Sequence, residues 1–258
     1  SMGGRLSSFS SEGFTFDMGP SWYWMPDVFD DFFKDFGKNT SDYYKLKRLD
    51  PSYKFFTPTR ELNIPANLDS FYKVCEDIEE GSSVNLKKFL DQAKTKYKIS
   101  MDKFISLPNL SIFEYFSSSI LKNFFTLGLF INLRRYISSK FKSKSLRYLL
   151  EFPSMFLGGS PSDTPSLYSL MNYADIIGGT WYPSGGMYEI AKSFERLSLE
   201  MGVKHVKNEE VSKFKFNEQS IEAVVTKKKN IYDSDLVVCC AEYPHVQLKL
   251  LNSKNRTY

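Results

Sequence analysis

Residues 3–22 read Gly-Gly-Arg-Leu-Ser-Ser-Phe-Ser-Ser-Glu-Gly-Phe-Thr-Phe-Asp-Met-Gly-Pro-Ser-Trp, and this stretch decides how the rest of the chain is interpreted. Gly3 and Gly4 carry no Cβ atom, so the backbone there can adopt positive φ angles and lie close to a ligand. Arg5 adds a planar fork of donors that matches phosphate or ribose oxygens. The spacing of these three residues therefore suits a bound dinucleotide.

A turn and a short strand follow the glycine pair. Glu12-Gly13 is a turn signal, and the apolar residues Phe14, Phe16 and Met18 alternate as in a β-strand. Gly19-Pro20 then predicts a second place where the backbone lies close to another group. Turn, strand and second glycine together make the pattern more specific than Gly-Gly-Arg alone.

The pattern Gly-Gly-Arg followed by Gly-Phe-x-Phe-Asp-x-Gly-Pro resembles the second cofactor segment of FAD-dependent amine oxidase-like flavoproteins. Within them it is most similar to the carotenoid desaturases, the bacterial phytoene desaturases in particular. Residues 181–186, Trp-Tyr-Pro-Ser-Gly-Gly, resemble the family's Trp-x-Pro-x-Gly-Gly segment. The resemblance implies noncovalent FAD, with cofactor contacts from Gly3, Gly4, Arg5, Gly19, Pro20, Ser21, Trp22 and Val211. For Val211, a plain strand valine is an equally open interpretation.

The resemblance implies an α/β fold of mixed α+β character. Residues 1–44 would be part of a Rossmann-like FAD-binding domain, residues 45–180 an inserted sheet and helical domain that binds substrate and membrane, and residues 181–258 the return to the FAD-binding domain. In the family, a Gly-x-Gly-x-x-Gly turn precedes Gly-Gly-Arg, and it is missing from this sequence. The C-terminal flavin segment is missing as well. We therefore expect a chain truncated at both ends and inactive alone.

Composition and charge favour a globular protein. The chain has 258 residues, 42% of them hydrophobic, and its 34 basic and 30 acidic residues give a net charge of +4. This balance, without a recognisable basic and aromatic motif, gives no case for nucleic-acid binding. Cys75, Cys239 and Cys240 lack the spacing of metal ligands, so no metal site is predicted and a reduced, cytoplasmic compartment fits best.

Periodicity and turn signals predict the order of helices and strands. Helices are expected over residues 26–36, 69–80, 84–100 and 187–201, the last between Gly185-Gly186 and Gly202. Strands are expected over residues 46–49, 53–56, 62–64, 203–206, 210–216 and 221–226. The resemblance implies a further strand over residues 235–242, in which Glu242 replaces the family's usual Asp.

Residues 107–144 combine a dense apolar region with basic residues that follow it. Charged and polar residues interrupt the apolar part, so it is not a transmembrane span. One interpretation is an interfacial helix on anionic lipid, which would place the protein peripherally on the inner face of the cell membrane. The other is a buried helix pair with a solvated basic face. The basic residues concerned are Arg134, Arg135, Lys140, Lys142 and Lys144.

The chemistry that the resemblance implies is dehydrogenation of a hydrophobic polyene. No side chain accepts a hydride, so the flavin must take it from an allylic carbon, with quinone or oxygen as the final acceptor. His205 and His245 have no nucleophile or metal ligand at a useful spacing, and no catalytic residue is identified. Trp181 is the candidate for facing the substrate cavity. The Gly185-Gly186 pair is better explained by strand and helix packing.

The function expected from the resemblance is FAD-dependent desaturation of a carotenoid precursor such as phytoene, in carotenoid biosynthesis. Two alternatives stay open. One is a noncatalytic prenyl-lipid binding or escort protein on the same scaffold, because fold alone does not fix activity. The other is a related retinoid or carotenoid oxidoreductase.

Overall fold

The computed structural model describes residues 2–57, 60–103, 105, 110–111, 127–217 and 220–256. Two compact units divide the chain. The larger unit comprises Met2–Glu195, and the smaller unit begins at Arg196. The domain boundaries expected at residues 44 and 180 stay a prediction.

The larger unit opens with an antiparallel hairpin. Strand β1, Ser7–Ser11, pairs with β2, Phe14–Met18. Glu12 and Gly13, with φ of 52° and 83°, form the two-residue turn with two positive φ angles that matches strand twist. This confirms the turn and the strand predicted from the sequence.

Four further strands form two small antiparallel sheets. Strand β4, Tyr53–Phe56, pairs with β5, Glu61–Ile64, as neighbours in sequence commonly do. Strand β3, Leu46–Arg48, pairs instead with β6, Trp181–Pro183, across more than 130 intervening residues. The strands near residues 46, 53 and 62 were predicted, but nothing local to β3 indicates its distant partner.

The helices of the larger unit enclose its main core. Their bounds are α1, Pro26–Asp35; α2, Leu68–Ile78; α3, Ser82–Lys103; α4, Leu133–Ser138; and α5, Lys144–Glu151. Fully buried side chains at the centre include Phe71, Phe89, Ile137, Phe141 and Leu146. Predicted helices at residues 26–36, 69–80 and 84–100 are thereby confirmed to within a few residues.

Half of the region predicted to touch membrane can be compared with the structure. Residues 112–126 lie outside the described residues, whereas α4 and α5 bury Leu133 and Ile137 in the core. No helix within the described ranges is both long enough and apolar enough to cross a bilayer.

Short helical turns connect α5 to β6. They are 3₁₀ turns at Phe152–Leu157 and Ser166–Ser169, helix α6 at Leu170–Asn172 and a π-helical turn at Tyr173–Ile177. A further 3₁₀ turn, Thr40–Asp42, follows α1.

Helix α7, Tyr188–Glu200, follows Gly185-Gly186 and ends just before Gly202, which has a φ of 83°. Carbonyl groups at the end of this helix accept from the backbone N–H groups of Gly202 and Val203, as in glycine-terminated helices. The predicted helix and its terminator are both confirmed.

The smaller unit contains a three-stranded antiparallel sheet in the order β7–β8–β9. The strands are Val211–Asn217, Ser220–Thr226 and Ile231–Asp233. Helix α8, Tyr243–His245, a π-helical turn at Val246–Leu250 and a 3₁₀ turn at Ser253–Asn255 follow.

Two predicted strands are wrong. Within the described residues, 203–206 and 235–242 form no ladder with another strand. Leu236 and Val238 are 78% and 79% exposed, although a strand of this composition would be buried in a parallel sheet. An apolar run becomes a strand only where neighbouring strands satisfy its N–H and C=O groups, and sequence pattern alone does not supply those neighbours.

Candidate functional site

The two glycines at the start of the chain have different surroundings, because Gly3 is closely packed and Gly4 is not. Gly3 has a φ of 105°, and a Cβ there would overlap the Leu6 carbonyl oxygen and lie 2.9 Å from Cβ of Ala191 on α7. Gly4 has a φ of 55°, and a Cβ there would meet no atom within 4 Å. Gly3 therefore permits packing against α7, while the backbone at Gly4 faces open space.

The second glycine turn lies against the first. Gly19 has a φ of 124°, and a Cβ there would overlap the carbonyl oxygen of Arg5. Pro20 and Ser21, like Arg5, are exposed. The structure therefore brings residues 3–5 and 19–21 together at one surface edge, and their contacts with the cofactor stay a prediction.

Asp17 fixes this edge, although the sequence analysis assigned it no role. Its Oδ2 accepts from the Tyr182 hydroxyl and, at 2.8 Å, from the backbone N–H of Met187. Its Oδ1 accepts from the N–H of Tyr188 at 3.4 Å. Burial alone would raise the pKa of Asp17, but these hydrogen bonds lower it below its ordinary value. Asp17 thus ties the β2 strand to the start of α7.

The donors at this edge fit the phosphates of FAD. Gly3 and Gly4 are exposed, and within the described residues their N–H groups donate to no backbone carbonyl. The Arg5 guanidinium belongs to the same turn. Backbone amides in a positive-φ turn beside an arginine are the donor set that binds anions in proteins.

Trp22 lies in an aromatic cluster. Its ring lies 6.2 Å from that of Trp24, 5.4 Å from Phe156 and 5.9 Å from Phe152, and Tyr53 is 6.0 Å away. These neighbours lie just before α1, in β4 and in the 3₁₀ turn Phe152–Leu157, and a cofactor contact of Trp22 stays a prediction.

A buried polar chain lies next to this cluster. Asp175 is 3% exposed and accepts at 2.8 Å from the hydroxyls of both Tyr53 and Thr180. Thr180 Oγ1 in turn accepts from Trp24 Nε1 at 2.9 Å. Burial raises the pKa of Asp175 to about 6 even though both hydroxyl donors favour its charged form. Sequence pattern gave no signal for this carboxylate.

Trp181 is half-buried and borders an open cavity of about 530 Å³, which is also lined by Pro26, Thr40 and Tyr44. Its Nε1 donates to the Gly178 carbonyl at 2.8 Å, and the Arg48 guanidinium lies 5.9 Å from its ring centre. The placement agrees with a side chain that faces a cavity. Its contact with substrate stays a prediction.

Val211 begins β7 in the smaller unit, where it is half-buried and pairs with Thr226. This is the strand position that the resemblance gave it. Its predicted contact with adenine stays a prediction.

Comparisons with known proteins agree with this geometry. The family model described as flavin containing amine oxidoreductase matches residues 1–256. A carotenoid 3,4-desaturase of Haloarcula japonica is 32% identical over 100% of this chain and 52% of its own length. A zeta-carotene-forming phytoene desaturase of Myxococcus xanthus is 30% identical over 99% of this chain and 50% of its own length. The chain therefore spans about half the length of the curated relatives it matches.

Solved structures show the same fold. An engineered putrescine oxidase is similar with a TM-score of 0.60 and 12% identity, over 98% of this chain and 52% of that one. A Pyrococcus furiosus protein gives a TM-score of 0.52 and 19% identity, over 98% of this chain and 53% of its own. These likenesses confirm the predicted α/β fold, and the family match confirms the predicted flavin cofactor, FAD. The chain belongs to the flavin containing amine oxidoreductase family.

Proposed function

We propose that the protein containing this chain is an FAD-dependent desaturase of a carotenoid precursor such as phytoene. The observation that carries the proposal is the edge formed by residues 3–5 and 19–21, where exposed glycine residues lie beside Arg5 and would bind the phosphates of the cofactor. The relatives named carotenoid 3,4-desaturase and phytoene desaturase support the substrate class.

The flavin supplies the chemistry that side chains lack, since it accepts the hydride that leaves an allylic carbon. The chain's own part would be to hold the cofactor and to line the cavity that Trp181 borders. Gly4 and Arg5 would bind phosphate or ribose oxygens, while Gly19 lets the second turn lie against Arg5 and Gly3 lets the first turn pack against α7. Trp181 would line the substrate cavity.

The remaining partners also belong to this proposal. A hydrophobic polyene is stored in a lipid phase, so the protein would work at the surface of an anionic membrane on the cytoplasmic side. Quinone or oxygen would take up the electrons. No feature of the described residues favours the noncatalytic escort function over this one.

Flavin retention tests the cofactor assignment. In the protein that contains this chain, Arg5→Ala should weaken FAD binding by about 10- to 150-fold, because a hydrogen bond to a charged group contributes about 1.5–3 kcal/mol. The measurement is the ratio of flavin to protein absorbance after gel filtration, together with the FAD dissociation constant.

Arg60→Ala is the matched control, since Arg60 is also exposed but lies in the turn between β4 and β5. Equal flavin retention by wild type and Arg5→Ala would contradict the assignment.

A further inference from the structure

An exposed apolar turn follows helix α5. Met155, Phe156 and Leu157 are consecutive and are 68%, 48% and 45% exposed. Tyr148 on α5 is 53% exposed. Single exposed apolar side chains are ordinary, but a contiguous group usually marks a surface that another molecule covers. We call residues 155–157 the apolar turn.

The fold holds the apolar turn in place. The Phe156 ring packs edge-on against Trp24 at 5.0 Å and Trp22 at 5.4 Å. Pro153 and Ser154 beneath it are buried, and Gly158 ends the turn with a φ of 69°. The exposure of Met155 and Leu157 is therefore built into a supported structure.

A basic groove lies on α4 and α5, the helix that leads into the apolar turn. Arg134, Lys144 and Arg147 line an open cavity of about 240 Å³, together with Ser138, Tyr148 and Glu151. Glu151 is the one carboxylate among these lining residues, and it lies 3.6 Å from Arg134 Nε. Three cations against one carboxylate leave the groove positive.

We propose that the apolar turn and the basic groove together form the surface that docks on an anionic phospholipid bilayer. Met155, Phe156 and Leu157 would enter the lipid interface, and Lys144 and Arg147 would bind headgroup phosphates. Two contributions hold peripheral proteins on membranes. Apolar side chains enter the lipid interface, and basic side chains are attracted to anionic headgroups. The inference rests on the proposed membrane partner and names its surface.

This surface differs from the one expected from sequence. Lys140 lies over the Tyr136 ring at 4.9 Å and does not line the basic groove. Arg134 and Lys144 of the predicted basic set line the groove, Arg147 joins them, and residues 155–157 supply an apolar component that was not predicted.

Vesicle co-sedimentation of the purified chain tests the proposal, using phosphatidylcholine vesicles with and without phosphatidylserine. Met155→Ser combined with Leu157→Ser should weaken binding at least about tenfold, since each buried CH₂ contributes about 0.8 kcal/mol. Lys144→Glu should weaken binding to anionic vesicles by roughly tenfold or more, because it changes two charges at about 1 kcal/mol each.

The smaller unit offers matched controls. Leu236→Ser combined with Val238→Ser removes two apolar side chains of similar or greater exposure at the same spacing, and Lys213→Glu reverses another exposed charge. Both controls should bind vesicles as the wild type does. Thermal unfolding of every variant should stay at the wild-type temperature, because the substituted side chains are exposed.

Tryptophan fluorescence gives a second readout. The chain has three tryptophans, and two of them, Trp22 and Trp24, lie directly behind Phe156. Lipids brominated on the acyl chains should quench the wild-type fluorescence, and Trp22→Phe combined with Trp24→Phe should remove most of that quenching.

Several results would overturn the proposal. One is a Met155 and Leu157 variant that binds vesicles as tightly as the wild type, and another is a loss of vesicle binding in the controls equal to that in the test variants. Wild-type protein that binds neutral and anionic vesicles equally, or whose tryptophan fluorescence is not quenched by brominated lipids, would also contradict it. A chain that elutes as a dimer, becomes monomeric in the Met155 and Leu157 variant and ignores vesicles would assign the surface to a second copy. Flavin retention is independent of these measurements, so a wrong cofactor assignment would not imitate any of these results.

Discussion

At the scale of single residues, Asp17 holds several parts of the site together, although its surroundings are exposed. One carboxylate accepts from the Tyr182 hydroxyl and from two backbone N–H groups at the start of α7. Such caps satisfy donors that a helix leaves unpaired in its first turn. The same carboxylate therefore holds the β2 strand against α7.

Asp17→Ala should destabilise the chain by about 2 kcal/mol, because it removes a charged acceptor and leaves helix donors unpaired. Asp17→Asn, which keeps one acceptor oxygen, should fall between Ala and wild type. Since the pKa of Asp17 is lowered in the folded state, its contribution is present above the ordinary Asp pKa and is lost as pH falls through the folded value. Urea unfolding at several pH values measures both effects. Asp35→Ala, at an exposed site on α1, is the control. An equal loss of unfolding free energy in Asp35→Ala would contradict the capping role of Asp17.

For Asp175 we expect the opposite pH dependence of the unfolding free energy. Its folded pKa of about 6 lies above the ordinary value, so the folded state holds the proton more tightly than the unfolded state does. Stability from this group is present in full below about pH 4 and falls as pH rises to about 6, by roughly 3 kcal/mol in total at 1.36 kcal/mol per pKa unit. Asp175→Asn imitates the neutral carboxyl and should remove that fall.

The measurement is the difference in unfolding free energy between wild type and Asp175→Asn from pH 4 to pH 7. Asp35→Asn serves as the control, because Asp35 is exposed. Parallel pH profiles for wild type and Asp175→Asn would show that the buried carboxylate does not titrate in this window.

At the scale of elements, the first hairpin uses an unfavourable residue in its turn. Glu12 has a φ of 52°, a region that asparagine and glycine occupy more readily than glutamate. Asn-Gly is the preferred sequence for this two-residue turn. The hairpin therefore gives up some stability at this position.

Glu12→Asn should stabilise the chain by about 0.5–1 kcal/mol, through relief of the left-handed backbone penalty. The measurement is the midpoint of urea unfolding. Glu80→Asn is the control, because Glu80 is exposed and has no positive φ. A gain no larger than the control's would contradict this account of the turn.

The α4 and α5 pair shows how one element serves two environments. Leu133, Ile137 and Leu146 pack into the core, while Arg135 and Lys144 face solvent. Of the two interpretations of this region, a buried helix pair with a solvated basic face describes α4 and α5, whereas the interfacial helix falls largely on residues outside the described ranges and stays a prediction. The basic face is what the membrane proposal uses.

At the scale of the whole molecule, the proposed reaction needs cofactor, cavity and substrate together. Trp181 borders the cavity and also pairs through its backbone with Tyr23. Shortening a side chain that contacts substrate lowers the reaction rate, whereas shortening one that only packs lowers the rate and the FAD content together. Activity measured beside flavin content separates the two.

In the protein that contains this chain, Trp181→Ala should lower desaturation of phytoene in liposomes at least about tenfold while FAD content stays near wild type. The physical reason is the loss of a large apolar contact, worth about 1.5–3 kcal/mol for a buried side chain. Product absorption in the visible range and flavin absorbance are the two measurements. Trp181→Phe, which keeps an aromatic ring, should recover much of the rate.

A parallel fall of rate and FAD content in Trp181→Ala would show that Trp181 only supports the fold. Flavin-loaded protein that binds phytoene without changing its spectrum under any acceptor would contradict the desaturase proposal and favour the escort function.

The sequence by itself determined the local structure and the family. Turn residues Glu12-Gly13, the stripe of α1, and the glycines around α7 act through atoms only a few positions away, so their patterns are sufficient. The Gly-Gly-Arg and Trp-x-Pro-x-Gly-Gly segments indicated the flavoprotein family for the same reason, because their function follows from local backbone geometry.

Only the tertiary structure decided which distant residues meet. Asp17 joins Met187, β3 joins β6, and Asp175 joins Tyr53 across 122 positions. The same carboxylate is a solvated surface group or a buried acceptor according to what the fold places around it, and burial, partly offset by two hydroxyl donors, raises the pKa of Asp175 to about 6. The predicted strands at residues 203–206 and 235–242 were wrong because ladder partners are a property of the folded chain, and the exposure of residues 155–157 is likewise a property of what packs beside them.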